Sequence, residues 1–382
     1  MRLGFFRTQL RILLFGVVDA WLAIWPARKL KAGVALIRLD AIGDFTLWLD
    51  SAKEYRDLYA GEHIVLLANV AWADWASKFP HWDEVWAVDP VKLRRHFVYR
   101  AKILRAVRRA GFKVIIQPTY SRTFDGDSLV RASAAPQRIG SIGDDSNITA
   151  AERDHGDRWY TQLVPASDQS LMELERNAEF IRNLSGRPYQ ADLPRITESC
   201  LSAAVRPWPS GYVVLFPGAS WYGRRWPLAS FAELASRLYA ERGWPFVLCG
   251  GPGDWPICER LGARLTVPFV NWAGKTNLGE LAGVIYHARV LISNETSAVH
   301  IAAAVKTAAI CVVGGGHYGR FLPYPSYFRG IKPLVADHPM PCFNCNWRCF
   351  LKLEKLGPVP CIERISVERV LELTRELALS DV

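Results

Sequence analysis

The sequence predicts an α/β protein with two doubly wound domains that face a central cleft. Short apolar runs alternate with helical patterns, which is typical of parallel strands covered by helices. This alternation occurs twice, on either side of a proline-punctuated stretch near residues 185–210. With 382 residues, the chain is also too long for one ordinary hydrophobic core.

The first block carries four patterns of buried strands, at residues 33–39, 63–68, 85–88 and 113–117. Helices are predicted from the turn at 40–44 to about residue 59, over 72–79, over 95–110 and over 173–184. The stretch 120–209 is less regular, and we expect a domain boundary within its last part.

The second block has strand patterns at residues 212–216, 245–249, 290–292 and 308–313. Helices are predicted from Pro227 onward, over 278–288 and over 366–378. The predicted organisation is an N-terminal segment 1–32, a domain 33–190, a domain 205–335 and a C-terminal segment 336–382. In such folds ligands bind at the carboxyl ends of the strands.

The composition restricts the class of protein and the class of partner. Half of the residues are apolar and 22% are charged, which excludes a disordered chain. The net charge of +10 favours an anionic partner: a nucleic acid, a membrane surface or a phosphorylated substrate. A nucleic acid is the weakest of the three, because the sequence contains no recognised nucleic-acid-binding motif.

Residues 1–32 combine basic flanks with an apolar run at 12–25. The run is too short to cross a bilayer comfortably, and Asp19 interrupts it. A secretory signal is disfavoured because no clear cleavage site follows. Two interpretations remain, a helix in the membrane interface and a helix docked on the protein's own surface.

The most informative motif spans residues 291–305, where an apolar run ends in a polar turn and an Ala-rich helix begins. A helix start offers free backbone N–H groups and a positive dipole end, which suit a phosphate. Glu295, Thr296 and Ser297 in the turn suit sugar hydroxyls. His300 lies one turn into the helix, where it contacts phosphate, braces the loop or simply packs.

Polar residues follow other predicted strands as well. After the first strand, Asp44 is either a proton acceptor or a helix N-cap. After the strand at 212–216, Gly218, Ser220, Arg224 and Arg225 suit a diphosphate or form a solvated basic loop. The glycine-rich turn at 250–254, which ends in Asp254, lacks the GxGxxG spacing and is by itself a weak nucleotide signal.

Two further clusters stand apart from these strand ends. Residues 92–113 contain nine lysines and arginines and no acid, which indicates either a solvated helix face or contact with anionic lipid or glycolipid. Four thiols with C-x₂-C-x₃-C-x₁₁-C spacing suit structural zinc, an iron–sulfur cluster, two disulfides or free thiols, with zinc favoured among the metal-bound forms. They belong to Cys342, Cys345, Cys349 and Cys361.

Taken in order, the motifs resemble glycosyltransferase family 9, the ADP-heptose–lipopolysaccharide heptosyltransferases. Five blocks carry the resemblance, at residues 38–44, 216–227, 247–253, 271–277 and 293–300. The resemblance covers roughly residues 33–320. It implies a GT-B fold with two Rossmann-like domains and an inverting transfer without an essential metal.

The resemblance also implies roles for single residues. Asp44 matches the family's general base, and Arg224 stands where the family has a Lys or Arg that holds the phosphates. Glu295 replaces the usual Asp, and the Gly-Pro that commonly follows is missing here. The expected donor contacts are Gly218, Ser220, Arg224, Arg225, Asp254, Glu295, Thr296, Ser297 and His300. The expected acceptor contacts are Gly43, Arg94 and Arg95.

The predicted activity is transfer of a sugar, with heptose favoured, from a nucleoside diphosphate to lipopolysaccharide or a related glycolipid. The predicted partners are ADP-heptose, the glycolipid acceptor and the inner face of the cytoplasmic membrane, with the protein cytoplasmic and peripheral. Two alternatives are a sugar-nucleotide-binding protein without catalysis, against which Asp44 argues, and a nicotinamide-dependent oxidoreductase. The oxidoreductase is disfavoured because the sequence has no GxGxxG dinucleotide-binding motif after the first strand.

Overall fold

The computed structural model describes residues 16–17, 33–202, 206–351 and 357–379. The segment 1–32, for which a membrane-interface helix is predicted, lies outside this description except for two residues. Two compact units divide the chain. Unit 1 comprises the described residues of Met1–Phe45, Ser51–Gln169 and Glu175–Ala191, and unit 2 comprises those of Thr46–Asp50, Ser170–Leu174 and Asp192–Val382.

The sheet of unit 1 is wholly parallel and has the strand order β3-β2-β1-β4-β5-β6. Its strands are β1 (Val34–Arg38), β2 (Ile64–Asn69), β3 (Glu84–Val88), β4 (Val114–Gln117), β5 (Gln137–Ser141) and β6 (Gln162–Val164). Every residue of β1 and β4 is buried, as expected for central strands covered on both faces.

The helices of this first half follow the strands in alternation. They are α1 (Ile42–Ala52), α2 (Glu54–Leu58), α3 (Ala73–Ala76), α4 (Pro90–Arg95), α5 (Phe97–Ala110), α6 (Phe124–Ser133), α7 (Ala150–Asp157) and α8 (Glu173–Ser185). The amphipathic α5 packs Leu104 and Val107 into a core with Ile37 and Ile115. Helices α1 and α8 each contribute residues to both unit 1 and unit 2.

The sheet of unit 2 repeats the same topology, with the order β12-β11-β10-β7-β8-β9 and only parallel pairs. Its strands are β7 (Val213–Phe216), β8 (Phe246–Leu248), β9 (Phe269–Asn271), β10 (Val290–Asn294), β11 (Ala309–Val312) and β12 (Leu334–Ala336). The strand order reverses between β7 and β10, which makes that edge the expected ligand site of a doubly wound sheet.

The helices of the second half are α9 (Leu228–Arg242), α10 (Trp255–Gly262), α11 (Leu278–Tyr286), α12 (Ser297–Ala304), α13 (Pro360–Glu363) and α14 (Val367–Leu379). The last of them returns to the sheet of unit 2, where Val370 and Leu371 join a core with Phe231 and Leu234 of α9. The C-terminal helix is thus an integral part of the second domain core.

The structure contains elements that the sequence prediction lacks, among them β9, β12 and α10. The described part of the stretch 120–209 contains two strands, β5 and β6, three α-helices and a 3-10 turn at Glu198–Cys200. The single basic helix predicted over 95–110 is preceded by a separate helix, α4, which begins at Pro90. Asp89 caps α4 by accepting a hydrogen bond from the Lys92 backbone N–H at 2.9 Å, and proline suits the first helical position.

Candidate functional site

Two polar motifs of unit 2 meet at the point where its strand order reverses. The loop after β7 runs from Pro217 to Pro227, and the turn after β10 carries Glu295 and Thr296. Because β7 and β10 are neighbouring parallel strands, their carboxyl ends lie at one edge of the sheet. The sequence-predicted donor motifs are therefore brought together.

Asn294, the last residue of β10, joins the two motifs. Its buried side chain accepts a hydrogen bond from the Trp226 backbone N–H at 2.9 Å. Its amide nitrogen donates to the carbonyl oxygens of Pro217 at 2.8 Å and Gly218 at 3.3 Å. Asn294 thus fixes the loop after β7 against β10, a role that the sequence analysis missed although the residue lies inside its leading motif.

Glu295 and Arg224 form the charged centre of this edge. Glu295 is 6% exposed, and its Oε1 lies 3.4 Å from the Arg224 Nη2, which also donates to the Glu295 backbone carbonyl at 2.8 Å. Burial raises the pKa of Glu295, and the neighbouring Arg224 opposes that rise. The pairing favours the ionised carboxylate, whereas the loss of water favours the protonated acid.

Both partners of this ion pair retain unused hydrogen-bonding capacity. Glu295 Oε2 and Arg224 Nε are buried, and neither has a hydrogen-bond partner. Buried polar atoms are nearly always paired, so such atoms at a strand edge point to a missing ligand. The carboxylate oxygen can accept a hydrogen bond from a sugar hydroxyl, and the guanidinium can donate to phosphate.

Thr296 and Ser297 start helix α12 beside this pair. Thr296 is the N-cap, and its Oγ1 accepts a hydrogen bond from the Ala298 backbone N–H at 3.3 Å. Its hydroxyl also lies 3.1 Å from the Ser293 Oγ. The Thr296 hydroxyl therefore stabilises the helix start. Because the backbone N–H groups of Ala298 and Val299 already donate to Thr296, α12 offers an anion the Ser297 backbone N–H and its positive dipole end.

Asp44 lies in unit 1, at the carboxyl-terminal side of β1. The N-cap of α1 is Ala41, whose side chain makes no capping bond, and Asp44 belongs to the first helical turn. The backbone carbonyl of Asp44 accepts a long contact of 3.5 Å from the buried Arg38, which also pairs with Asp40 at 2.7 Å. The carboxyl of Asp44 is thus half-buried and held on a rigid helix start.

Comparison with known proteins identifies the family. The model of glycosyltransferase family 9 (heptosyltransferase) matches residues 100–345, more than half of the chain. The chain belongs to this family. The predicted resemblance is confirmed, and the two parallel six-stranded sheets agree with it.

Curated relatives of this family 9 protein include three heptosyltransferases. Lipooligosaccharide heptosyltransferase 2 of Haemophilus influenzae is 35% identical over 103 residues, which are 26% of this chain and 30% of that protein. Lipopolysaccharide heptosyltransferase 3 of Escherichia coli K12 is 30% identical over 207 residues, 51% and 57% of the two chains. Lipopolysaccharide heptosyltransferase 1 of Pseudomonas aeruginosa is 23% identical over 364 residues, 88% and 95%. The first two matches span less than two thirds of those relatives.

Solved structures confirm the GT-B fold class. ADP-heptose LPS heptosyltransferase II of Escherichia coli superposes with a TM-score of 0.67 at 18% identity, covering 91% of this chain and 99% of that one. The heptosyltransferase WaaC of the same organism, solved with ADP-2-deoxy-2-fluoro heptose, has a TM-score of 0.64 at 18% identity, covering 90% and 99%. At this identity the likeness concerns the fold.

His300 of the family 9 protein lies inside helix α12, one turn from Glu295 and Thr296. It is 5% exposed, its Nδ1 lies 2.9 Å from the Tyr324 hydroxyl, and the two rings stack. Burial, together with the positive Arg224, lowers the pKa of His300 to about 4. The imidazole is therefore neutral at pH 7, which favours bracing and packing over a cationic contact with phosphate.

This pKa predicts a pH dependence of folding stability. In the unfolded chain the imidazole takes up a proton as the pH falls below about 6.5, whereas in the folded protein it resists protonation down to about pH 4. Its stabilising contribution is complete above pH 6.5 and is lost as the pH falls. In urea unfolding, the free energy of unfolding of the wild type should fall between pH 6.5 and pH 4. In His300→Gln this fall should be smaller by about 3 kcal/mol. An equal fall in the two proteins would contradict the assignment.

The remaining predicted donor residues shape the loops of this edge. The Arg225 guanidinium donates to the Ala219 carbonyl at 2.9 and 3.2 Å, and Asp254 Oδ2 accepts from the Gly251 backbone N–H at 2.9 Å. A Cβ at Gly218 would collide with the Asp254 carboxylate, so a larger residue there would displace that side chain. Ser220 is exposed. Arg225 and Asp254 thus hold backbone in the structure rather than project into open space.

Trp347 connects the segment that carries Cys342, Cys345 and Cys349 to Arg224 at this edge of the sheet. Its ring lies below the Arg224 guanidinium, with 5.0 Å from Cζ to the ring centroid. The segment is fixed by hydrogen bonds from Asn344 N–H to Gly315 O at 2.6 Å and from Asn346 N–H to Gly316 O at 2.9 Å. Side chains at Gly315 and Gly316 would strike Phe343 and Trp347. The sequence analysis missed this role of Trp347.

Replacing Trp347 by alanine removes the aromatic face under Arg224 and should weaken donor binding about tenfold, within the range of a cation–π contact. Calorimetric titration with the donor nucleotide measures the effect. Phe350→Ala is the matched control, because Phe350 belongs to the same segment and is 76% exposed. Equal affinities of both variants would contradict the role of Trp347.

The four clustered cysteines line one small cavity together with Met340, Phe343 and Val359. All four are free thiols, and burial raises the pKa of Cys361, with Cys342 and Cys345 adding to the rise. Within the described part of the chain, no three His, Cys, Asp or Glu residues are arranged to hold a metal ion. The zinc expectation stays a prediction.

Of the predicted acceptor residues, Arg94 pairs with Asp125 at 2.7 Å, whereas the neighbouring Arg95 is exposed. Gly43 occupies the first turn of α1, next to Asp44. A separate open cavity of about 880 Å³ lies at the amino ends of β7 and β10, near Tyr286 and Arg289. It is at the opposite edge of the sheet from Glu295 and Arg224.

Proposed function

We propose that this protein transfers a heptosyl residue from ADP-heptose to lipopolysaccharide or a related glycolipid, with inversion at the anomeric carbon. The observation that carries the proposal is the buried Glu295–Arg224 pair at the strand-order reversal, with one unpartnered atom on each side chain. Membership in family 9 and the names of the curated relatives support the donor and acceptor classes.

In the proposed reaction, Asp44 removes the proton from the acceptor hydroxyl. The acceptor oxygen attacks the anomeric carbon, and the bond from that carbon to the diphosphate oxygen breaks. Arg224 and the Ser297 backbone N–H at the start of α12 stabilise the charge that develops on the leaving diphosphate. Glu295 accepts a hydrogen bond from a hydroxyl of the donor sugar and thereby orients it.

Thermal-shift titration tests the donor assignment. ADP-heptose should raise the melting temperature more than ADP, ADP-glucose or a uridine diphosphate sugar at equal concentration, since a ligand that binds only the folded state stabilises it. The difference between ADP-heptose and ADP should shrink in Glu295→Gln. A larger shift with a uridine diphosphate sugar would reject the adenosine donor.

We propose that the protein works as a peripheral enzyme at the inner face of the cytoplasmic membrane. Support comes from the lipopolysaccharide acceptors in the names of its relatives and from the net charge of +10. No helix among the described residues is long and apolar enough to span a bilayer. Fractionation of cells that express the full chain, with and without a high-salt wash, tests this placement.

We also propose that Cys342, Cys345, Cys349 and Cys361 bind structural zinc. Support comes from four thiols that line one cavity, since thiolates are preferred zinc ligands. Bound zinc would fasten the segment that carries Trp347. Elemental analysis of the purified protein should give one zinc per chain, and Cys342→Ser/Cys345→Ser should lose it. A zinc-free, fully folded protein would reject the proposal.

A further inference from the structure

The junction of α4 and α5 in unit 1 exposes apolar side chains among basic ones. Phe97 is 50% exposed, Val98 is 79% exposed, and Val91 is 58% exposed. Exposed lysine and arginine side chains flank them at Lys92, Arg94 and Arg95. Single exposed apolar residues are ordinary, but neighbouring ones inside a basic surface are typical of membrane-binding regions.

Helix α5 extends this surface with a basic stripe. Val98, Lys102, Arg105 and Arg109 follow one another at helical spacing and are exposed, whereas Leu104 and Val107 on the opposite face are buried. The chain contains no acid between Asp89 and Asp125, and these two flanking acids pair with Lys92 at 3.6 Å and with Arg94 at 2.7 Å. We call α4, α5 and their junction the basic corner.

Hydrogen bonds to helix α6 hold the basic corner in place. Arg100 is buried in α5 and donates to Asp125 Oδ1 at 3.0 Å and to Ser128 Oγ at 2.6 Å, both on α6. Arg94 pairs with the other oxygen of Asp125 at 2.7 Å. The exposure of Phe97 and Val98 is thus fixed by a buried network rather than produced by a loose loop.

The basic corner and Asp44, the candidate base, lie at the same edge of the unit 1 sheet. Helix α4 begins directly after the carboxyl end of β3, and Asp44 follows the carboxyl end of β1 in the same parallel sheet. Carboxyl ends of parallel strands share one edge of a sheet. The α4–α5 junction therefore lies on the same side of unit 1 as Asp44.

We propose that the basic corner is the surface by which this protein docks on an anionic lipid bilayer. Phe97 and Val98 enter the interface between headgroups and acyl chains, and the stripe of lysine and arginine side chains contacts the headgroup phosphates. Docking of this kind places the Asp44 edge of unit 1 next to a lipid-linked acceptor. The inference rests on the proposed placement at the membrane, but the docking does not depend on which sugar is transferred.

Vesicle binding by the purified full chain tests the proposal. The probe is vesicles of phosphatidylglycerol and phosphatidylcholine in equal parts, compared with pure phosphatidylcholine, at low and high salt. The wild type should bind the anionic vesicles and release them at high salt. Phe97→Ser/Val98→Ser should weaken binding at least about tenfold. Ile331→Ser, which changes a 43% exposed isoleucine of unit 2, should bind like wild type.

The charge contribution needs its own variant and control. Arg95→Glu/Lys102→Glu/Arg109→Glu should weaken binding to anionic vesicles at least about 100-fold, since each lysine or arginine near a lipid surface contributes about fivefold. Lys78→Glu/Arg158→Glu/Arg187→Glu makes the same change of net charge on unit 1 outside the corner. It should bind anionic vesicles much more tightly than the triple variant of the basic corner. Equal loss in both triple variants would show that only net charge matters and would overturn the proposal.

Two other outcomes would also overturn it. Corner variants that bind vesicles as tightly as wild type would assign membrane contact to another part of the chain. Tighter binding of the corner to a single-stranded oligonucleotide than to anionic vesicles, lost in the same variants, would assign the surface to nucleic acid. Circular dichroism spectra that match wild type are required of each variant, and they keep misfolding apart from loss of docking.

Discussion

Asp44→Asn should lower the turnover number of sugar transfer by about 10²–10⁴, the range that a general base contributes. Asparagine keeps the size and the helix position of the residue but cannot accept the proton of the acceptor hydroxyl. Because Asp44 belongs to the first turn of α1, whose N-cap is Ala41, the change should not remove a helix cap. Steady-state transfer kinetics measure the effect.

Donor affinity separates this role from a structural one. The residues assigned to the donor all lie in unit 2, whereas Asp44 lies in unit 1, so the dissociation constant of ADP-heptose should stay within about twofold of wild type. Asp74→Asn is the matched control, since Asp74 is an exposed acid in the first turn of another helix of unit 1. Near wild-type turnover of Asp44→Asn would reject the base. Absence of transfer by the wild type itself would favour a binding protein without catalysis.

Arg224→Met should lower kcat/KM for the donor by about 10²–10³, because it removes the cation assigned to the leaving diphosphate. It also leaves the buried Glu295 without its counter-charge. The pKa of that carboxyl, already raised by burial, should rise further, because the positive charge that opposes the rise is removed. Transfer kinetics and donor titration measure the loss.

Two companion variants define what the loss means. Arg225→Met removes the neighbouring guanidinium, which only holds the Ala219 carbonyl, and should cost less than tenfold. Glu295→Gln added to Arg224→Met should cost little more than the single change, because the two side chains act as a pair. An Arg224→Met enzyme within threefold of wild type would contradict the assignment of the diphosphate site.

The central strands were predictable because their residues are buried on both faces. The strands β1 and β7 appear in the sequence as continuous apolar runs, and the structure has them within a residue or two of the prediction. The strands that the prediction missed are short and lie toward the sheet edges. Gln137–Ser141 is largely polar and Phe269–Asn271 has three residues, so pairing with neighbours defines them rather than periodicity.

In the candidate site, too, local sequence patterns were predictable and contacts between distant segments were not. The positions of Glu295, Arg224 and the start of α12 were predictable because an apolar strand pattern that ends in polar residues before a helical pattern can be recognised in the sequence. The roles of Asn294 and Trp347 were not, because they depend on contacts between segments distant in the chain: Asn294 with the loop at 217–226, and Trp347 with Arg224. Asp89-Pro90 before α4 was a usable signal of a helix start that the prediction overlooked.

The most direct test of the account is one transfer reaction with the purified full chain, ADP-heptose and a lipopolysaccharide acceptor that lacks heptose. The account predicts one ADP released for each acceptor that gains a heptosyl residue by mass spectrometry, and formation of both products slowed at least about 10²-fold with Asp44→Asn. Release of ADP without a gain in acceptor mass, or faster transfer from another nucleotide sugar, would contradict it.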